Sequence, residues 1–376
     1  MNYKQIEHKI CTRCVMDTTA SGIEFDAEGV CNYCKSYETV RGTLEVSSSI
    51  KQDRLDKMLL DIKSQGKGKR YDCIVGVSGG VDSSWVLVRA VDLGLRPLAV
   101  HMDNGWNSEL AQQNIEHLVK KLNVDLYTHV LDWNEFRDLQ ESFFDADVID
   151  LELLTDNFLV GLNFEQAKKW KTKFILSGSN TVTEGIPMPS NWAAFNKYDK
   201  KHIYNIWKQK GKGYPFSTIS PFSLNAFFFN SYIRGIKWHR FLDLLDYKKS
   251  LAVERLVKDF GYVPYPYKHY ESVFTRLYQG VILPRKFGVD KRKNHLSALI
   301  MDNDMNRDSA LEMLNQLPYP SEAEMESDIS YFLKKFNWTK DQFEAYLNRP
   351  EIPHLNYGGD TDLMAPLRKL KKILQG

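Results

Sequence analysis

Two groups of residues in this chain have the types and spacing to do chemistry. The first lies within Tyr71 to Ser84, YDCIVGVSGGVDSS, where an apolar run (Cys73, Ile74, Val75, Val77) predicts a buried strand running into a loop and a helix start. The adjacent Gly79 and Gly80 remove the side chains that would keep a ligand off the backbone. The helix start offers free N–H groups and the positive end of a dipole, which together favour an anion. Ser78 and Ser83 add hydroxyls, and Asp82 adds a carboxylate suited to magnesium. Such a loop suits a polyphosphate. The second group is Cys11-x-x-Cys14 and Cys31-x-x-Cys34, separated by sixteen residues. That spacing places four thiolates around one ion with no open position.

Three readings compete for the loop. The plainest is an ordinary strand-to-helix turn. Gly76-Val77-Ser78-Gly79-Gly80 also fits the G-x-S-x-G nucleophile elbow, which would make Ser78 a nucleophile. Hydrolases of that kind place several strands before the elbow, whereas this loop opens the first α/β unit of the chain. The third reading uses every residue: S-G-G-V-D-S resembles the pyrophosphate-binding loop of the N-type ATP pyrophosphatases, the PP-loop superfamily. That resemblance implies cleavage of ATP between the α and β phosphates and adenylation of a carbonyl-type oxygen. No Walker A pattern occurs, so γ-phosphate transfer is not favoured.

The bulk composition narrows the rest. The 376 residues allow two domains or one large domain with additions. A hydrophobic content of 43% with 26% charged residues is that of a soluble globular protein. The net charge of +2 makes no electrostatic case for nucleic acid. The first residues, MNYKQIEHKI, lack an apolar signal core, and no run of ~18 apolar residues exists to span a bilayer. A cytoplasmic location is expected. It argues against disulfides, the rival use of the paired cysteines. Structural zinc is preferred over an iron–sulfur or catalytic metal. Four of the five cysteines are then engaged, and Cys73 is left as core packing.

The positioning elements follow from periodicity. Residues 51–66 predict a helix with Leu55, Met58, Leu59 and Ile62 on one face. Then come a helix from Asp82 to Leu93, a strand from Pro97 to Met102, a helix from Leu110 to Leu122 and a strand from Val124 to Val130. Helices at Trp133 to Phe144 and Phe158 to Trp170 precede a fourth strand, Phe174 to Leu176. The alternation predicts an α/β fold, a parallel sheet with helices on both faces. Ligands sit beyond the carboxyl ends of such strands. That rule selects the glycine loop for phosphates, Met102-Asp103-Asn104 for the adenine side, and Ser177-Gly178-Ser179-Asn180 for the ribose or α-phosphate. The nucleotide-binding set is therefore Ser78, Gly79, Gly80, Val81, Asp82, Ser83, His101, Met102, Asp103, Gly178, Ser179 and Asn180. The segment Thr181 to Ser190 is long enough for a substrate loop, with Glu184 its only charge.

From Phe195 onward the alternation is lost. Pro221 to Tyr247 is aromatic and mostly helical in pattern. Pro284 to Lys293 is the densest basic run, and a helix is expected from His295. A solvated face is the usual meaning of such a run; phosphate contact is the functional one, with Lys286 and Arg292 as catalytic candidates beside Ser78 and Asp82. Leu363 to Leu374 predicts a short basic amphipathic helix. The expected organisation is a zinc module at 1–50, an ATP-binding domain at 51–192, and a mainly helical substrate or partner region at 193–376.

Taken together, the paired CxxC knuckles, SGGVDSS, DNGWNSELAQQNI from Asp103 and KFGVDKRKNHLSALI from Lys286 resemble one family. It is the N-acetyl sugar amidotransferases of bacterial surface-polysaccharide (O-antigen) synthesis, in the PP-loop superfamily with its adenine nucleotide α-hydrolase-like fold. The likeness runs from about Cys11 to Pro320. It implies ATP and Mg2+, with Asp82 on magnesium, and Zn2+ on Cys11, Cys14, Cys31 and Cys34. It also implies conversion of an acetamido group on a nucleotide-activated sugar to an acetamidine. The chain begins Met1-Asn2 and its Cys73 lies inside a strand, so neither type of cysteine glutaminase is expected here. A separate glutaminase subunit is expected to supply ammonia. Rival functions are a zinc-containing transfer-RNA thiolation enzyme, which would want more cysteines and more positive charge, a non-catalytic ATP-binding regulator, and a serine hydrolase acting through Ser78.

Overall fold

The computed structural model describes residues 8–44, 48–194, 196–266 and 270–360; the helix expected at Leu363 to Leu374 lies outside them. Helices α1 (Asn32–Leu44) and α2 (Ser48–Gly66) lead into the α/β unit. It runs β1 (Cys73–Gly76), α3 (Val81–Asp92), β2 (Pro97–Asp103), α4 (Glu109–Leu122), β3 (Leu126–Val130), α5 (Trp133–Asp145), α6 (Leu153–Lys169) and β4 (Phe174–Ser177). The sheet has five strands in the order β3-β2-β1-β4-β5, and every pairing is parallel.

Period-two alternation explains how it is buried on both faces. Ile74, Leu98, Val100 and Ile175 join a core with Phe136 of α5 and Phe158 and Leu162 of α6. Val75, Ala99, Phe174 and Leu176 join the opposite core with α2, α3 and α4. Each fully buried aliphatic side chain contributes about 1.5–3 kcal/mol, so the two cores hold the sheet rigid beneath its loops.

The fifth strand, β5 (Lys237–Arg240), pairs with β4 from Phe174↔Lys237 to Ser177↔Arg240. It falls in the stretch expected to be helical, and beyond the boundary expected at residue 192. Its sequence, KWHR, has no apolar run; an edge strand exposed at both ends needs none, and pairing with β4 specifies it. The segment before it is part helical, as α8 (Lys200–Lys210), α9 (Leu224–Phe228) and a π-helical turn at Phe229–Ile233. After it, α10 (Lys249–Phe260) packs against α3 and α4, so the sheet's own cover also comes from beyond residue 192.

The remainder is helical: α11 (Val273–Leu277), α12 (Leu283–Phe287), α13 (Arg292–Met301), α14 (Arg307–Asn315), α15 (Glu322–Phe336) and α16 (Lys340–Asn348). The Thr181 to Ser190 segment is not wholly loop, since Thr181–Glu184 forms a short helix, α7, packed on α13. A ring cluster binds the helical region to the end of β2: Trp106 stacks on Phe332 and Phe336 of α15 at 6.3 and 5.9 Å. Lys335 Nζ caps that cluster, 3.6 Å from the Trp133 ring centroid and donating to the Gly105 carbonyl at 2.6 Å.

Candidate nucleotide site and cysteine cluster

The glycine loop lies between β1 and α3, at the carboxyl edge of the sheet. Gly79 has φ +84°, a conformation other residues adopt only under strain. A Cβ there would also come within 2.8 Å of the Ala111 carbonyl oxygen in the first turn of α4. Gly80 caps α3 without any side-chain bond, leaving the first N–H groups of that helix to other acceptors. Ser78 and Ser83 tie the loop across itself: their hydroxyls lie 3.2 Å apart, and Ser83 Oγ accepts from Ser78 N at 3.2 Å. The Ser78 hydroxyl also accepts from Gly80 N at 3.3 Å. Among the described residues the hydrogen bonds of the Ser78 hydroxyl are to Ser83 and Gly80, and none is to a histidine.

Asp82 lies in the first turn of α3, and one carboxylate oxygen accepts from the Tyr247 hydroxyl. The other accepts from Thr183 Oγ1 at 3.4 Å. Burial, and then the charge of Asp82, raise the Tyr247 pKa well above its ordinary value, so the phenol stays a donor. Tyr265 donates to the Gly79 carbonyl at 3.2 Å. Tyr262 is buried nearby; its pKa is raised by burial first and also by the charges of Glu271 and Asp82. Glu271 itself lies against the loop, its Oε1 3.2 Å from where a Gly80 Cβ would stand. Its backbone is held by Ser108 N, which donates to the Glu271 carbonyl at 2.9 Å. Tyr247, Tyr262, Tyr265 and Glu271 have no sequence pattern near the loop, and only the fold brings them there.

The second cluster sits at the end of β2. His101 donates from Nδ1 to the Val77 carbonyl at 2.9 Å and accepts at Nε2 from Asn107 at 3.0 Å. Burial lowers its pKa, so it is a neutral brace between β2 and the glycine loop. Met102 is buried, and Asp103 accepts from Gly105 N and Asn107 at 2.9 and 3.2 Å. In the third cluster Gly178 packs on α3 so closely that a Cβ would lie 2.9 Å from Ser83 N. Ser179 is exposed, and buried Asn180 caps α7 by accepting from Thr183 N at 2.9 Å. The third cluster therefore adjoins Asp82 through Thr183. Val81 begins α3. A shallow recess lined by Lys57, Phe174, Lys237 and His239 lies at the opposite, amino end of β4 and includes no residue of the loop.

The basic run is a correction. The Lys286 side chain is buried and donates to Asp147 Oδ1 and to the carbonyls of Tyr346 and Arg349, at 2.9, 2.8 and 2.8 Å. Arg292 pairs with Asp290 and caps the end of α14 through the carbonyls of Met313, Leu314 and Gln316. An ammonium has three donors and a guanidinium five, so neither side chain has one left for a phosphate. Arg285, Lys291 and Lys293 pair with Glu344, Glu152 and Asp17. Charges adjacent in sequence are separated by helix geometry, and each braces a different neighbour.

Cys11, Cys14, Cys31 and Cys34 are buried, unbridged and gathered within 4.8 Å of one another. Their sulfurs lie 3.7–3.8 Å apart along three edges. A tetrahedron of zinc–sulfur bonds of ~2.3 Å has edges of about 3.8 Å, so the four thiols fit that ion. Cys11 Sγ also accepts from the N–H groups of Cys14 and Cys31, a second layer that favours the thiolate. Arg307 clamps the first knuckle to the helical region through the Cys11 and Cys14 carbonyls at 2.8 and 3.0 Å. Cys73 is buried in β1 with its pKa raised by burial, and is packing.

The sheet order, the glycine loop at the head of α3 and the four-cysteine cluster define an α/β protein with a five-stranded parallel sheet, a four-cysteine N-terminal module and a helical C-terminal region. Residues 271–371 match the family of the C-terminal domain of WbpG-like LPS biosynthesis proteins. The match covers about a quarter of the chain, in the helical region after β5. No curated protein matches the chain in sequence. Two solved structures align with 58% of it. One is the NH3-dependent NAD synthetase from Campylobacter jejuni subsp. jejuni NCTC 11168 in complex with the nitrate ion, at 16% identity over 99% of that chain, TM-score 0.28. The other is NMN synthetase from Francisella tularensis, at 14% identity over 94% of that chain, TM-score 0.25. At such TM-scores neither alignment bears on function. Among the described residues no helix is long and apolar enough to cross a membrane.

Proposed function

We propose that this chain is the synthetase component of an ATP-dependent amidotransferase of lipopolysaccharide or other surface-glycan synthesis. It converts the acetamido group of a nucleotide-activated sugar to an acetamidine. The observation that carries this reading is the glycine loop, with Gly79 at φ +84° and uncapped N–H groups at the start of α3, in a chain bearing the WbpG-like domain.

The chemistry sets the steps. An amide carbon is a poor electrophile and its oxygen a poor leaving group. The oxygen attacks the α-phosphorus of ATP, an O–P bond forms, and pyrophosphate leaves. Ammonia adds at carbon, the C–O bond breaks, and AMP departs, leaving the amidine. The N–H groups at the start of α3, with the Ser78 and Ser83 hydroxyls, stabilise the charge that grows on pyrophosphate; donors fixed in advance in this way are often the largest catalytic term. Asp82, with Glu271 beside the loop, would hold Mg2+, which supplies charge neutralisation on the phosphates. Tyr247 and Thr183 hold the Asp82 carboxylate in place. The cysteine cluster would hold Zn2+ as a structural ion, docking the N-terminal knuckles on α13 and α14.

Four cysteines lie in the cluster and the fifth is buried in β1. No thiol of this chain is therefore placed to hydrolyse glutamine, and ammonia comes from a separate glutaminase. The test is incubation with ATP, ammonium and UDP- or CMP-linked acetamido sugars. AMP and a product about one mass unit lighter are expected, because NH replaces O. Hydrolysis of glutamine by the purified chain alone would remove the partner, and AMP formation with no change in any sugar would remove the reaction.

A further inference from the structure

The amino edge of the sheet, opposite the glycine loop, is built from three basic segments. GKGKR (66–70) leads into β1, KKWKTK (168–173) into β4 and RGIK (234–237) into β5. They carry three, four and two Lys or Arg residues and no acid, in a chain whose net charge is only +2. The fold sets them side by side. Lys69 Nζ donates to the Lys171 carbonyl at 2.7 Å. Lys237 N donates to the Lys173 carbonyl at 2.7 Å, and Lys173 Nζ donates to the Arg234 carbonyl. The carboxylates paired at this edge are Asp125 on Arg70, Asp61 on Lys237 and Asp72 on Arg96 before β2, at 2.9, 3.1 and 2.6 Å. They leave exposed Lys67, Lys168, Lys169 and Lys171 with no ion pair among the described residues. The carboxyl end of α6 accounts for Lys168 and Lys169 alone, as charges that suit its dipole. Arg54 and Lys57 of α2 extend the positive field along the recess beside Lys237 and His239.

An apolar face adjoins the basic one. Phe228, Phe229, Tyr232 and Ile233, on α9 and the π-helical turn after it, are all exposed, the last two at 74% and 73%. Phe228 and Tyr232 stack on each other at 5.7 Å, and the Arg234 guanidinium lies 4.8 Å over the Phe229 ring. That cation joins the two faces. Large apolar side chains exposed in one group mark an interaction surface, whereas single ones do not. The combination selects the partner. A nucleic acid would meet the lysines but leave Phe228 and Ile233 in water. An apolar protein face would leave the lysines unpaired. A layer with phosphate and hydrocarbon at adjacent depths satisfies both, and that is the surface of an anionic bilayer.

We propose that the amino edge of the sheet docks on an anionic lipid bilayer, with Phe228, Phe229, Tyr232 and Ile233 in the headgroup boundary and the lysines on lipid phosphates. The chain lies on the bilayer and does not span it. The glycine loop, at the carboxyl edge, then faces away from the lipid and stays open to nucleotides. The docking does not depend on the reaction proposed above.

Vesicle flotation tests it with the full chain. Phosphatidylcholine vesicles containing one quarter phosphatidylglycerol are expected to carry the protein with them, and phosphatidylcholine alone to leave it behind. Raising the salt to ~0.5 M should release it, because screening shortens the reach of the lysines. Lys67→Glu with Lys168→Glu, and separately Tyr232→Ser with Ile233→Ser, alter exposed side chains only, so melting temperatures should hold. Each paired variant is expected to bind about 10-fold more weakly or worse. A parent protein that does not float, or either paired variant floating at the parent's level, overturns the docking. Binding of duplex DNA in place of vesicles, lost in the lysine variant, assigns the edge to nucleic acid and overturns it as well.

Discussion

The Tyr247 hydroxyl donates to the Asp82 carboxylate across 165 residues of chain, from the segment after β5 to the first turn of α3. Two other elements share the arrangement: Thr183 of α7 reaches the other oxygen of Asp82, and Arg240 at the end of β5 reaches Thr181 at 3.2 Å. The carboxylate at the glycine loop is thus aimed by residues that enter only once β5 is in the sheet.

Replacing that tyrosine separates aim from presence. Tyr247→Phe keeps the ring and removes the donor, leaving Asp82 short of one partner. A loss of ~1–2 kcal/mol in stability is expected, with a loss of about 10-fold or more in AMP formation. The drop should be largest at limiting Mg2+ and be relieved as Mg2+ is raised. A variant equal to the parent at limiting Mg2+ would show that Tyr247 only packs.

Gly79→Ala meets two obstacles at once, a positive φ and the Ala111 backbone. The conformation alone costs ~1–2 kcal/mol. The loop is expected to move, and ATP binding to fall beyond detection by calorimetry, while the four-cysteine cluster still takes its metal.

Purified protein should contain one zinc per chain. Cys31→Ser should lose it and melt at a markedly lower temperature, because binding at such sites contributes ~10–16 kcal/mol in isolated modules. Arg307→Ala should keep the metal and melt only a few degrees lower. Iron in the purified protein, or no metal at all, would refute the assignment.

Lys286→Met tests the corrected basic run. Breaking its buried pair with Asp147 should destabilise by ~3 kcal/mol, somewhat less because Arg349 still faces that carboxylate at 3.0 Å. AMP formation per folded molecule should be unchanged; a selective loss of kcat would return Lys286 to the site.

His354 gives a pH dependence. His202 Nδ1 donates to the Gly358 carbonyl at 2.8 Å, His354 Nδ1 donates to His202 Nε2 at 2.8 Å, and His354 Nε2 accepts from Asp150 N at 3.0 Å. This chain of bonds needs both rings neutral, and burial lowers the His354 pKa to about 4. The unfolded chain, with an ordinary histidine near 6.5, binds the proton first. Stability is therefore complete above about pH 6.5 and falls as pH drops towards 4, by ~2 kcal/mol at pH 5. Unfolding free energies from urea titrations at pH 5 and pH 7.5 should differ by that amount, and the histidine's share should vanish in His354→Gln. An identical slope in the variant would clear His354.

Much of this was legible in the chain. The strands around SGGVDSS show because apolar residues run together there, and the loop shows because two glycines beside hydroxyls and a carboxylate serve few other ends. The cysteine pairs are equally plain, since a knuckle is local. β5 was not legible, because KWHR takes its conformation from β4 alone. Nor were the partners of the basic run: sequence gives the charge of Lys286 but not that Asp147 and two helix-end carbonyls surround it.

Local pattern by itself settled the order of β1 to β4, the glycine loop and the metal-type cysteines, because each depends on neighbours a few residues apart. Tertiary structure alone decided what surrounds the loop. Tyr247, Thr183, Tyr265 and Glu271 converge there from three distant segments, and Asp156 pairs with Lys197 far along the chain. Contacts of that kind follow from packing helices on a sheet, and no spacing along the chain encodes them.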